Sequence, residues 1–563
     1  MNFQKCNSEW HKDAIEKSNN FISGVTNKTK GVEELANENL AKLVQTDHAK
    51  LKSIVSCVLF CALHNLPLRR KTNSITVFDN LLQFRVQPGD ITLSKHFEGA
   101  PKNATYVSHR TQNDLIDVWA KVLRNDLINT INNSKSFSVL ADKTMDTAGT
   151  EQLSLSACYF DHATNVVRED FLGFTPLARL DVKHISNTII STLSAWGLNL
   201  DKMVGQGNDG CSTMASKICG VQQIIAEKYP KAHFYRCASH RLNLVVNDLN
   251  TLPEVRNAIG TIKERISFFM GEQTKESPSW EPSKTFLEIV EALAILHKEG
   301  DCETRQKAWQ LYCTLTSPTF IVTLKVIAKY SAKLEPVTNI LTSVNINLLE
   351  VSEHIQGIVK MLLDDRENVK AEFVMIMKSD ESNYSALGID VTVQYLQERF
   401  SEDNKACFEI FCLHPKVMKS QSDLDMKRII ENIIRFYGEL LDNFTEEAWT
   451  WISMWKCDKV TEGDIAELSL TDLLDKAKSL PAVASGMKIA LSLLATTCSA
   501  ERSFSTLRSV KTWLRTTVAD NRLSCLCIVS VHRDKIKSEG ESFIEKVVDS
   551  YGKGPRQIQF LFK

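Results

Sequence analysis

Three short runs of apolar or alternating residues, crowded into about 40 positions, constrain this chain more than any other feature. They are Ser136–Asp142 (SFSVLAD), Gln152–Asp161 (QLSLSACYFD) and Val166–Pro176 (VVREDFLGFTP). Joined by short polar turns, they predict an antiparallel meander. A helical pattern follows in VKHISNTIISTLSAWGLN, then a short strand near Lys202–Gly205 and the turn GQGNDG. One helix is predicted over STMASKICGVQQIIAEKY, a strand in HFYRC, and another helix from near Ser239. The order β-β-β-α-β-α-β-α predicts a mixed sheet with helices on its faces.

That order is the order of a ribonuclease-H-like domain, and helices surround it on both sides. Residues 1–45 are polar with little periodicity, and 46–135 read as a helical lead-in from HAKLKSIVSCVLFCALHN to LIDVWAKVLRNDLINTINN. The first part of the α/β domain occupies 136–250, and 251–487 holds helices almost only. No fixed-period repeat runs through that block, which argues against a solenoid and leaves either a separate domain or an insertion. Residues 488–563 form the last segment.

Composition narrows the partners. Lys and Arg number 67 against 68 Asp and Glu, so no global basic field exists, and nucleic acid must be held by a local patch. The basic positions Lys511, Arg515, Arg522 and the Arg69–Lys71 run are the candidates for phosphate contacts. The 15 cysteines are irregularly scattered, several inside apolar runs, which reads as reduced intracellular thiols. Cys57, Cys61 and His64 share an apolar helix, and core packing is the expectation there rather than a ligand cluster. No apolar signal core and no uncharged apolar stretch of membrane-spanning length is present, so a soluble chain without membrane contact is expected.

The chemistry rests on acids. Asp142 closes the first strand in VLADKTMD and Asp209 follows the fourth in VGQGNDG. In this topology those strand ends are neighbours. Carboxylates placed there can hold Mg²⁺, which prefers oxygen ligands, and paired metals serve phosphoryl transfer. Solvated turn acids are the ordinary alternative.

Three strings carry a resemblance: SFSVLADKTMDTAGTEQLSLSACYFD; VGQGNDGCSTMASKICGVQQIIAEKYPKAHFYRCASHRLNLVVND; and LATTCSAERSFSTLRSVKTWLRTTVADNRLSCLCIVSVHRD. Over about residues 46–535 the chain resembles hAT-superfamily transposases, within them the zinc finger MYM-type and THAP-type group. The resemblance implies a helix-rich α+β chain in which a ribonuclease-H-like catalytic domain is interrupted by a large all-helical insertion at 251–487. It implies an acidic triad of Asp142 (Asp146 as runner-up), Asp209 and Glu501, holding Mg²⁺ or Mn²⁺. Without it, Glu501 is a helix-start acid near the N-cap candidate Ser499. In RCASHRLNL it implies that Cys237 and His240 help handle the DNA end, where packing is the alternative; a single Cys-x-x-His pair makes zinc unexpected. For Trp280 it implies stacking on an extruded base, although Ser279 stands where arginine is usual.

Departures weigh against full activity. Lys143 sits where an acid is common, and Asn208, Cys211 and Thr213 depart from the second string. Over 1–45, FQKCNSEWHKDAIEKSNNF reads as the remnant or tail of a zinc finger. The expected protein is nuclear and transposase-derived, with weak DNA binding, no small-molecule substrate, and uncertain DDE-type strand transfer. Full transposase activity and a non-catalytic interaction scaffold are the alternatives. A homodimer is expected through 488–563. The helix NRLSCLCIVSVHRD has one apolar face at Leu523, Leu526, Cys527 and Val531 and another at Cys525, Ile528 and Val529.

Overall fold

The computed structural model describes residues 13–18, 38–69, 75–99, 105–208, 211–216, 218–272, 286–343, 346–374, 382–400, 409–457, 463, 465, 468–493, 496–512 and 515–553. Its one sheet has five strands: β1 (Phe137–Met145), β2 (Glu151–Asp161), β3 (Val166–Pro176), β4 (Met203–Asn208) and β5 (His233–Arg236). They lie in the order β3-β2-β1-β4-β5. The meander β1–β2–β3 is antiparallel, whereas β4 and β5 run parallel to β1. The β1–β2 turn closes because Asp146 Oδ1 accepts the N–H groups of Ala148 and Thr150, at 2.8 and 3.2 Å, and Gly149 takes φ +82°.

Alternation divides each strand between two cores. Phe137, Val139, Ala141, Leu153, Leu155, Ala157 and Tyr159 face a core shared with α1 (Glu38–Leu63) and α2 (His109–Asn133). On that side α2 contributes Leu115, Trp119, Leu123 and Leu127. Helices α3 (Val182–Trp196) and α4 (Val221–Lys228) cover the same core. The opposite residues, Leu140, Cys158, Phe160, Val204 and Tyr235, enter a second core with α5 (Ala238–Asp248) and α6 (Pro481–Ser492). Buried on both faces, β2 is apolar or uncharged for nearly its whole length.

One predicted helix is two. The stretch read as continuous over 212–229 forms Ser212–Ala215 and then α4, restarted at Gly220 with extended backbone (φ −88°, ψ 167°). A Cβ at Gly220 would stand 2.5 Å from the Ser216 carbonyl, so a glycine is what this tight break requires.

From Pro253 to Lys476 the described residues contain helices and no strand. A small separate core gathers Ile289, Leu293, Ala308, Leu311, Leu315 and Phe320. The later part behaves differently: Ile355, Leu396, Ile429, Phe444 and Trp451 belong to the same core as the second sheet face. The chain then returns to the sheet itself. Ser138 Oγ donates to the Ser492 carbonyl at 2.6 Å, and a Cβ at Gly205 would lie 2.2 Å from that hydroxyl. Helix α7 (Cys498–Val510) packs on β1, β2 and β3.

Helix α8 (Asp520–Val531) is covered by this chain alone. It lies against β3, α2 and α7, and Leu523, Cys525, Cys527, Ile528 and Val529 are all buried. Ser524 Oγ accepts the Phe174 N–H at 2.8 Å beside Gly173, whose φ of +147° adjoins the bulge within β3. The second apolar face read from the sequence therefore meets α2, and supplies no argument for a second copy. Helix α9 (Glu541–Gly552) completes the layer on α1 and α2. Among the described residues no single helix is long and apolar enough to cross a membrane.

A candidate carboxylate site on the second face of the sheet

Asp142 is a buried carboxylate on β1, two residues beyond Leu140, where the parallel pairing with Gly207 of β4 ends. Its Oδ1 accepts the Lys143 N–H at 2.7 Å. Asp209 directly follows Asn208, the last residue of β4, and itself lies outside the described residues. Ser154 is the cross-strand partner of Asp142, and its hydroxyl lies 2.8 Å from that of Ser503 on α7, 349 positions away in sequence. Two residues before Ser503, in the first turn of α7, stands Glu501. The fold thus lays the Glu501-bearing helix across the strand pair that carries Asp142.

Cys237 and His240 both act on the Glu501 carboxyl through their charge. Cys237 caps the start of α5, and its Sγ receives the Thr497 N–H at 3.4 Å. Partial burial pushes the Glu501 carboxyl above its ordinary pKa, and the Cys237 sulfur adds to that, while His240 and Arg502 pull it down. Cys237 is held well below the usual thiol range by a hydrogen bond from the Cys498 thiol, and further by the N–H groups of Thr497 and His240. The spacing of the Cys-x-x-His string has a local reason: the sulfur sits at a helix start, three residues before a histidine in the first turn. Among the described residues no three His, Cys, Asp or Glu side chains gather closely enough to hold a metal ion. Asp142 and Glu501 offer the oxygen donors that a hard divalent cation takes, so their chemistry fits such an ion.

Sequence reasoning missed Glu169. This β3 residue has a side chain only 2% exposed, accepts a hydrogen bond from Ser499 Oγ, and lies 3.5 Å from an Arg502 nitrogen. Burial raises its carboxyl to about 7 against these two partners. Ser499 is consequently not the helix cap; Thr497 occupies that position, and the Ser499 hydroxyl is spent on Glu169. Nothing in VVREDFLGFTP distinguishes Glu169 from a solvated strand acid, because its burial comes from α7 packing over it.

Several expected site residues have other work. Asp146, the runner-up acid, forms a buried ion pair with Lys511 at 2.6 Å and accepts from Gln152 at 3.1 Å. Both charges are 3% exposed or less, so Lys511 faces the protein and is closed to phosphate. Arg69, Arg515 and Arg522 are half-buried and bond to Asn65, His109, Gln112 and Asn113 of the lead-in helices rather than forming an open basic strip. Arg70, Lys71 and Trp280 lie outside the described residues, as does most of 1–45. Cys57 and Cys61 are core residues of α1, with the Cys61 thiol pushed up to about 12 by burial. His64 is exposed and rests 4.4 Å from the Phe60 ring. In the helical block, half-exposed Trp309 stacks between His297 and Tyr312, at 4.6 and 5.6 Å.

Comparison with known proteins defines the class. Residues 2–220 match the family model described as DUF4371, the ZMYM1/FAM200 RNase-like domain, which spans the lead-in helices and β1 to β4. The chain is a transposase-derived protein. Its curated relatives include the human 52 kDa repressor of the inhibitor of the protein kinase, 25% identical over 89% of this chain and 76% of that protein. The mouse protein of the same description is also 25% identical, over 84% of this chain and 71% of its own length.

Proposed function

We propose that this chain is a nuclear regulatory protein of hAT-transposase descent that keeps its ancestor's divalent-metal site. In this reading the ribonuclease-H-like domain comprises 136–250 and 488–563, with the helical block inserted between them, and Asp142, Asp209 and Glu501 are the ligands. One observation carries it: the Ser154–Ser503 contact sets α7 and Glu501 against the Asp142 segment across the whole intervening block. A bound Mg²⁺ would supply charge neutralisation and an activated oxygen for phosphodiester chemistry. Asp142 and Glu501 would position that ion, and the hydrogen bonds of Cys237 to Cys498 and Thr497 at the start of α7 would keep Glu501 in place.

The nuclear regulatory role is supported by the repressor description of the relatives. Weak DNA contact follows from a net charge of -1 and from basic residues turned into the fold. A homodimer through the C-terminal region rests on the family resemblance, since the buried residues of α8 are covered within one chain.

Nicking of supercoiled plasmid by the purified chain tests the reading. Slow, Mg²⁺- or Mn²⁺-dependent nicking that falls to background in Asp142→Asn and in Glu501→Gln is the expected result. Nicking that persists undiminished in both variants, or none from the wild-type chain in either metal, would leave a regulator without this chemistry.

A further inference from the structure

Three arginines, Arg69 from the N-terminal part of the chain and Arg515 and Arg522 from its C-terminal part, meet in one recess at the far end of α7 from Glu501. The cavity has a volume of about 380 Å³ and is lined by Arg69, Arg515 and Arg522 together with Asn65, Asn113 and Thr517. It lies between the end of α1, the start of α2 and the segment leading into α8. It shares no residue with the carboxylate site, and nothing in the proposed function uses it.

The partners of these arginines among the described residues are neutral. Arg69 donates to the His109 carbonyl at 2.8 Å and to Asn113 Oδ1 at 2.5 Å. Arg522 donates to the same Asn113 oxygen, so two guanidinium groups converge on one amide. Arg515 donates to the Asn65 carbonyl at 2.6 Å. Asp117 is the acid that acts on Arg522, but its carboxylate is engaged by Asn521 at 3.2 Å, and it forms no ion pair with the arginine.

Guanidinium groups do not neutralise themselves inside proteins, so drawing three of them into a recess costs solvation and mutual repulsion. Burial, with repulsion from Arg69 and Arg515, lowers the Arg522 pKa to about 10. Paired carboxylates normally offset such a cost, and here an anion from outside is the group that would offset it.

We propose that this recess binds a compact anion of the pyrophosphate class, either inorganic pyrophosphate or the terminal phosphates of a nucleotide. The planar guanidinium fork matches phosphate oxygens two at a time, and the volume suits a small ligand. Shape argues against a nucleic-acid backbone. Strands are gripped by exposed basic residues along a groove, whereas these three are half-buried around a single recess.

Calorimetric titration of the full-length chain in EDTA excludes any contribution from divalent metal. Sodium pyrophosphate, ATP and a 12-nucleotide single-stranded DNA are the probes, against wild type, Arg515→Gln and Arg522→Gln. One pyrophosphate site is expected, weakened at least about tenfold by either substitution, with pyrophosphate raising the thermal midpoint of the wild type only. Tighter binding of ATP than of pyrophosphate would identify a nucleotide as the source, and equal binding the inorganic ion. Arg515→Gln guards against misfolding, because that side chain's hydrogen bond is to one backbone carbonyl. No pyrophosphate binding by the wild type at millimolar concentration, or equal binding by folded Arg515→Gln, overturns the proposal. So does tighter binding of the oligonucleotide that pyrophosphate displaces.

Discussion

Glu169 and Asp146 are both buried acids on the meander, yet they respond to pH in opposite ways. Folding raises the Glu169 pKa from an ordinary 4.5 to about 7, so the folded chain holds that proton more tightly than the unfolded chain. Its contribution is complete below about pH 4.5 and is lost as the pH rises through about 7. Glu169→Gln keeps a neutral acceptor for Ser499, and should match wild type at pH 4.5 but exceed it by up to about 3 kcal/mol at pH 8. Urea unfolding at the two pH values measures this; a gap that does not widen with pH contradicts it. Asp146 is lowered by Lys511 against the cost of burial, so its stabilisation is present above its ordinary 3.8 and is lost on acidification. Lys511→Met, which strands that carboxylate, should cost about 3–5 kcal/mol near neutral pH. At this scale the sequence was only partly readable. Asp142 and Glu501 stand out because their strings are long, but the inward course of Lys511, Arg515 and Arg522 is decided by packing that no local pattern announces.

The strands were legible because each of their faces is buried against a different core, and alternation survives in the sequence as Phe137/Val139/Ala141 against Ser138/Leu140/Asp142. Helix α8 was legible as a helix but not in its surroundings. Two apolar faces require two covers, and periodicity does not say whether the second comes from α2 or from another molecule. Ile528→Asp should therefore unfold the chain, costing about 3 kcal/mol or more, rather than release intact monomers. Circular dichroism alongside sedimentation separates these outcomes, and a folded monomer from this variant contradicts the packing. Gly205→Ala addresses the other contact that positions the site. Its methyl would enter the space of Ser138 Oγ and disturb the bond to Ser492, at a cost of about 1–3 kcal/mol in the free energy of unfolding, read by urea denaturation.

Among the described residues the sheet lies between two cores, and the order of its five strands was readable from the sequence. What composition and periodicity did not reveal is that the later half of the helical block shares the second core with the sheet, while its first half keeps a small core of its own. That sharing brings residues near 500 back over β1, and it turns two distant acidic strings into one candidate site. Manganese titration followed by electron paramagnetic resonance tests this most directly, using the wild-type chain and the variants Asp142→Asn, Asp209→Asn and Glu501→Gln. The account predicts tight Mn²⁺ binding by the wild type, competed by Mg²⁺ and weakened at least about tenfold in each variant. Binding as tight in all three folded variants as in the wild type would contradict it.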